Sequence, residues 1–93
     1  MKNVKITPLK SNRSGRPIAN QYKIETPKGK YFQSYKSIIA FVPKQNGKIK
    51  LDEYYHNYSR TTSKYLTQFL GLNTQERQSL INEGGIKLTN LNK

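Results

Sequence analysis

The sequence predicts an α+β fold: an N-terminal antiparallel β-meander of four or five strands, then two short helices, with a final strand suggested after them. Three observations predict it. Apolar and polar residues alternate at period two between residues 20 and 51. Turn signals interrupt that alternation at Thr26-Pro27-Lys28-Gly29 and Gln45-Asn46-Gly47. Beyond residue 59 the apolar spacing lengthens to a helical period, bounded by hydroxyl or Asn caps and glycine stops. A chain of 93 residues allows one domain, spanning 1–93, which buries roughly 60–65% of its unfolded surface. With 33% hydrophobic residues and no Trp, its core is thin and must draw on tyrosine.

Taken in order, Val4 and Ile6 alternate with Lys5 and Thr7 as a short strand ended by Pro8. Residues 10–18 hold only polar, Gly and Pro residues apart from Ile18, with Lys10, Arg13 and Arg16 among them, and read as a flexible basic loop. Residues 20–51 form the basic β-meander. Tyr22 and Ile24 share one face of its first strand, with Lys23 and Glu25 on the other. The Thr26–Gly29 turn returns the chain along Lys30 to Tyr35. Ser37 to Val42 is a β-branched and aromatic run that suits a strand buried on both faces. Asn46-Gly47 accepts the positive φ of a tight hairpin, and Ile49 and Leu51 then oppose Lys48 and Lys50. The meander is therefore expected to be apolar on one face and studded with lysine on the other.

Residues 59–83 carry the two short helices. Tyr65, Leu66, Phe69 and Leu70 form one helical stripe, with Ser59, Thr61 and Thr62 as N-cap hydroxyls and Gly71 as terminator. Asn73 with Glu76 has the spacing of a capping box for a second helix closed by Gly84-Gly85. Helix 62–70 followed by helix 74–83 is a weak match to a helix-turn-helix. Ile86 and Leu88 alternate again as a last strand.

The charge is large and uneven. Seventeen Lys+Arg against five Asp+Glu give +12 and a pI near 10.1. Residues 1–50 hold twelve of the bases and one acid, Glu25, whereas residues 51–93 are nearly balanced. Self-repulsion of that size weakens the compact state, so a polyanionic partner is implied. An AT-rich codon bias explains Lys over Arg, but not the shortage of acids in one half. Catalysis is not expected: His56 is the single histidine, and adjacent Asp52 and Glu53 diverge on any regular element. No cofactor or metal is expected, and the absence of Cys removes disulfides and thiolate ligands. No apolar run approaches the ~18 residues of a membrane span, and Met1 to Lys10 lack the apolar stretch of a secretory signal. A cytoplasmic location is expected.

What remains is binding. Aromatic rings on a sheet with lysines between them suit nucleic acid, whose bases stack while cations follow the phosphates. Phe32 is expected in the core, with Tyr31 and Tyr35 as stackers on the opposite face. Lys23, Lys28, Lys30, Lys36, Lys48 and Lys50 are the expected phosphate contacts of the meander, joined by Arg13 and Arg16 of the loop. Arg60 and Lys64, at the start of the first helix among four hydroxyls, form a further phosphate candidate.

The stretch Tyr31 to Ala40 (YFQSYKSIIA), Leu51-Asp52, and Tyr58 to Gly71 (YSRTTSKYLTQFLG) resembles a family of small uncharacterised proteins carried by phages and plasmids of low-GC Gram-positive bacteria. The resemblance covers roughly residues 22–71. It implies a mobile-element setting, in a bacterial cytoplasm, where short proteins bind DNA or block host defence; it carries no site over. The expected partner is thus nucleic acid, DNA ahead of RNA. The alternative is an acidic or nucleic-acid-bearing host protein complex, antagonised in the manner of an anti-CRISPR protein. A homodimer through an edge strand is compatible with either.

Overall fold

A computed structural model describes residues 4–92 and shows one six-stranded sheet with strands in sequence order. The strands are Lys5–Lys10 (β1), Pro17–Thr26 (β2), Gly29–Ser34 (β3), Ser37–Pro43 (β4), Ile49–Asp52 (β5) and Ile86–Thr89 (β6). The first five pair antiparallel, while β6 lies parallel to β5. Between β5 and β6 the chain makes a 3-10 turn, Tyr55–Asn57, and two helices, Arg60–Leu70 (α1) and Thr74–Glu83 (α2). The α+β expectation holds in both order and class. The parallel last pair follows from this helical connection, since a crossover is what parallel neighbours need.

Both helices form where their end signals lie. Ser59, in extended conformation, accepts from the Thr62 amide at 3.1 Å. Gly71 ends α1 in the left-handed region at φ 74°. In α2 the Asn73 side chain accepts from the Glu76 amide, and Glu76 Oε1 accepts from the Asn73 amide, both at 2.8 Å. The reciprocal capping box was legible from two residues at the right spacing.

Both helices cover the same face of the sheet. Phe32, Ala40 and Leu51 are opposite one another on β3, β4 and β5 and are fully buried, in one cluster with Leu9, Ile39, Ile86 and Leu66 of α1. Phe69 of α1 stacks on Phe32 with ring centroids 5.5 Å apart, and Leu80 and Ile81 of α2 pack against the same cluster. Ser34 and Thr62 share a buried hydroxyl contact of 3.1 Å that pins the start of α1 to β3.

Three local expectations are corrected. Pro8 does not end β1, which runs on to Lys10 past a register shift. β1 is an edge strand, where the missing N–H of proline is tolerated. The basic loop shortens to residues 11–16: the Ser11 amide donates to Arg16 O, and Ser11 Oγ accepts from the Arg13 amide. Asn46-Gly47 sits in a five-residue connection, Lys44 to Lys48, rather than in a two-residue hairpin. There the Lys44 amide donates to Lys28 O, 2.9 Å away, so the chain first follows the neighbouring turn.

Gly29 opens β3 where it passes β4 so closely that an added Cβ meets Val42 O at 2.3 Å and Pro43 Cα at 2.9 Å. Both atoms belong to the backbone of β4, which cannot swing aside as a flexible side chain would. Gly29→Ala is expected to cost about 2–3 kcal/mol, read as a lower urea midpoint at unchanged slope; an unchanged midpoint would show that the hairpin gives way freely.

Asp52, at the end of β5, is 2% exposed. Its carboxylate accepts from the amides of Tyr54, Tyr55 and Leu91 and from Asn92 Nδ2, at 2.8 to 3.1 Å. Burial pushes its pKa up, but the Leu91 and Tyr55 amides, then Asn92 and the Tyr54 amide, outweigh it and hold the pKa below the ordinary value. His56 is also pushed down, by burial and by the charge of Arg77, against the pull of Asp52. In both, the folded pKa lies below the unfolded one, so their stabilisation is present above the unfolded pKa and fades as pH falls. Stability should therefore drop in two steps, below about 6.5 for His56 and below about 3.9 for Asp52. His56→Gln should erase the first in urea titrations across pH, and Asp52→Ala should cost about 3 kcal/mol at pH 7.

Candidate nucleic-acid interface

The face of the sheet away from the helices carries one continuous row. Ile6, Ile24, Tyr31, Phe41, Lys50 and Lys87 stand opposite one another in turn, from β1 to β6. It is apolar at one edge, aromatic in the middle and cationic at the other edge. Tyr31 and Phe41 hold each other with ring centroids 4.6 Å apart. Lys50 and Lys87 are directly paired like charges, a destabilising arrangement in a sheet. Among the described residues the ion pair present is Lys23–Glu25, at 3.6 Å and on the other face.

At the end of this face lies a trough of about 670 Å³, walled by Ile6, Tyr22, Ile24, Gln33, Tyr35, Lys36, Tyr55 and Tyr58. That size is within the roughly 300–1,000 Å³ of ligand sites. Tyr35 and Lys36 are the two turn residues between β3 and β4, whose flanking Ser34 and Ser37 pair. Tyr35 is 55% exposed and has φ 57°, a region that bulky residues avoid. It is held there by its amide, which donates to Asn20 O at 2.7 Å, and by its carbonyl, which accepts from Gln33 Nε2 at 2.8 Å. Tyr54, Tyr55 and Tyr58 pack edge-on or tilted, with centroids 4.7 to 5.7 Å apart.

A second groove, of about 540 Å³, runs along α1 between Asn57, Tyr58, Arg60, Ser63, Lys64, Thr67 and Thr74. Ser59 already accepts the Thr62 amide, so its cationic character comes from side chains. Lys64 Nζ stands 5.2 Å from the centre of the Tyr65 ring.

The expected site residues therefore divide. Tyr31 and Lys50 share the open row with Phe41 between them, Tyr35 and Lys36 line the trough, and Arg60 and Lys64 line the α1 groove. Lys23 and Lys30 correct the two-faced expectation: by register they share the helix-bearing face with Phe32. Alternation fixes which residues share a face, but which face the helices cover is decided by packing. Lys28, Arg13, Arg16 and Lys48 lie exposed in three separate connections. The sequence reading missed Lys87, although alternation with Ile86 and Leu88 gave its parity. It also missed Tyr22, Tyr55 and Tyr58 as one group, because the Tyr55–Asn57 turn meets the sheet through tertiary contacts alone. The helix-turn-helix match fares poorly: Arg77, the basic residue of α2, is 4% exposed, and the helix shows solvent Gln, Glu, Ser and Asn.

The fold and this open face define a small α+β sheet protein with an aromatic and basic surface. The chain belongs to a family of unknown function (DUF8033), which matches residues 4–83. That span takes in the whole meander and both helices. Neither a curated protein nor a solved structure matches the chain. Among the described residues no helix is long and apolar enough to cross a membrane.

The Tyr35 backbone provides a test. A residue in that region costs of order 1–3 kcal/mol, and Asn tolerates it far better. Tyr35→Asn should raise stability by about 1 kcal/mol in urea unfolding; a loss of stability would mean the ring is held for packing.

Proposed function

We propose that this protein is a non-catalytic nucleic-acid-binding protein whose contact surface is the helix-free face of the sheet. The observation that carries the reading is the cross-sheet row ending in Tyr31, Phe41, Lys50 and Lys87. Rings offer stacking surface beside a lysine pair whose mutual repulsion an anionic backbone relieves. The net charge of +12 supplies long-range attraction, and the absence of a cation-bearing α2 surface favours low sequence specificity over base reading by a helix. The resemblance to phage and plasmid proteins supplies a mobile-element setting, a bacterial cytoplasm and a preference for DNA.

Fluorescence anisotropy with labelled single-stranded DNA, duplex DNA and RNA at about 50 and 200 mM salt tests the reading. Micromolar or tighter binding that weakens at least about ten-fold over that range is the expected result. Lys50→Glu should weaken it further while stabilising the fold slightly, by about 0.5 kcal/mol, because residue 50 then attracts Lys87. Lys30→Glu makes the same charge change on the helix-bearing face and should cost much less affinity. No binding to any of the three at 50 mM sinks the reading. The basic surface then serves an acidic protein partner, as an inhibitor of a host defence complex requires.

A further inference from the structure

The trough on the sheet and the groove on α1 are adjacent, and Tyr58 lines both. Tyr58 is 62% exposed, so its ring stands between the two as a shared wall. One side of it is rich in tyrosine; the other is rich in hydroxyls and cations. Beneath the second lies a charge that no described residue neutralises. Arg77 is 4% exposed. Its Nη1 donates to Thr67 Oγ1 at 2.7 Å and to Leu72 O at 2.8 Å, and its Nη2 to Ser63 Oγ at 2.8 Å and Thr74 Oγ1 at 3.2 Å. Each partner is neutral, so the guanidinium is hydrogen-bonded but has no counter-ion among the described residues. A buried ion without an opposite charge is costly. The three hydroxyls that hold it, from Ser63, Thr67 and Thr74, are themselves walls of the groove. An anion seated there meets Arg60 and Lys64 at the rim and the field of Arg77 from below.

We propose that single-stranded nucleic acid crosses Tyr58, with unpaired bases against the tyrosines of the trough and a backbone phosphate in the α1 groove above Arg77. The inference rests on the nucleic-acid reading and adds strand type and path. A duplex keeps its bases stacked on one another and presents only groove edges and phosphates. Tyrosine faces inside a trough are usable by bases that are free to leave the stack, and stacking of that kind is tolerant of sequence. The charge distribution agrees: the trough contributes Lys36 alone, whereas the groove holds Arg60 and Lys64 over Arg77.

Three oligonucleotide probes of one length decide it: a single strand, the same sequence as a duplex, and an abasic single strand. The intact single strand is expected to bind at least about ten-fold tighter than either of the others. Tyr58→Ala should weaken the intact strand and leave the abasic one unchanged. Arg60→Glu with Lys64→Glu should lower the slope of log K against log salt by at least about 0.7, the share of one single-strand phosphate. All three positions are exposed, so circular dichroism should show the variants folded. Equal or tighter duplex binding, an abasic strand that binds as well as the intact one, or an unchanged salt slope in the double variant overturns the proposal. Those results leave nucleic-acid binding standing. Absence of binding by every probe at 50 mM removes both.

Discussion

The Asp52 carboxylate joins parts of the chain that share no regular pairing. It caps the Tyr55–Asn57 turn through two amides and holds the tail beyond β6 through Leu91 and Asn92. Asn92 in turn brackets β4, accepting from the Ile38 amide and donating to Ile38 O, at 2.7 and 2.8 Å. One buried charge thus fixes where the tyrosine turn leaves the sheet, how β6 finishes beside β5, and how both face the Tyr35 hairpin. Without it the trough has no fixed second wall. A charge this buried is retained at a desolvation cost that its four donors must offset, so its position is demanding, and the site geometry inherits that demand.

The helices were legible because their signals are local. Ser59, Gly71, Asn73, Glu76 and Gly84 each act within one turn of chain, and α1 and α2 begin and end where those residues stand. The meander was legible for a similar reason, since period-two alternation is a property of each strand alone. What depends on a distant partner was not. Pro8 looks like a stop until β1 is known to be an edge; β6 looks like any short strand until two helices place it parallel to β5. Arg77 carries no local signal of burial, and Ser63, Thr67 and Thr74 enclose it only once α2 packs beside α1. For the site, the sequence separated Phe32 from Tyr31 correctly, and it failed on Lys23 and Lys30 because parity does not say which face is covered.

Scarcity of helix is the reason an open face exists at all. Two short helices shield one side of six strands, and the opposite side leaves Tyr22, Ile24, Tyr31 and Phe41 half-buried, with Tyr31 packed on Phe41. In a sheet with one wetted side, solvent-facing positions ordinarily turn polar. Here they stay apolar or aromatic up to β4 and turn to lysine on β5 and β6. The gradient is a chemical asymmetry across one surface, and it matches a ligand that is flat and apolar in one part and anionic in another.

Departures from local preference lie at or beside the candidate binding surfaces. Tyr35 has a backbone conformation that its side chain disfavours, Lys50 faces Lys87, and Arg77 is buried without a counter-ion among the described residues. Each weakens a domain whose core, among the described residues, holds only seven buried apolar residues. A sequence free to optimise stability alone would place Asn or Gly at the hairpin, an acid opposite Lys50 and a carboxylate beside Arg77. All three sites lie on or next to the open face, the trough or the α1 groove, and two of the three are uncompensated positive charges. Rule-breaking of this kind gathers at functional surfaces because stability is sacrificed there for recognition. The common remedy for both charges is an anion, and aromatic rings lie nearby, Phe41 opposite Lys50 and Tyr58 at the groove whose hydroxyls hold Arg77. That pairing is the physical case for a nucleic acid over a purely acidic protein surface, which would neutralise the lysines and leave the tyrosines without a matching partner.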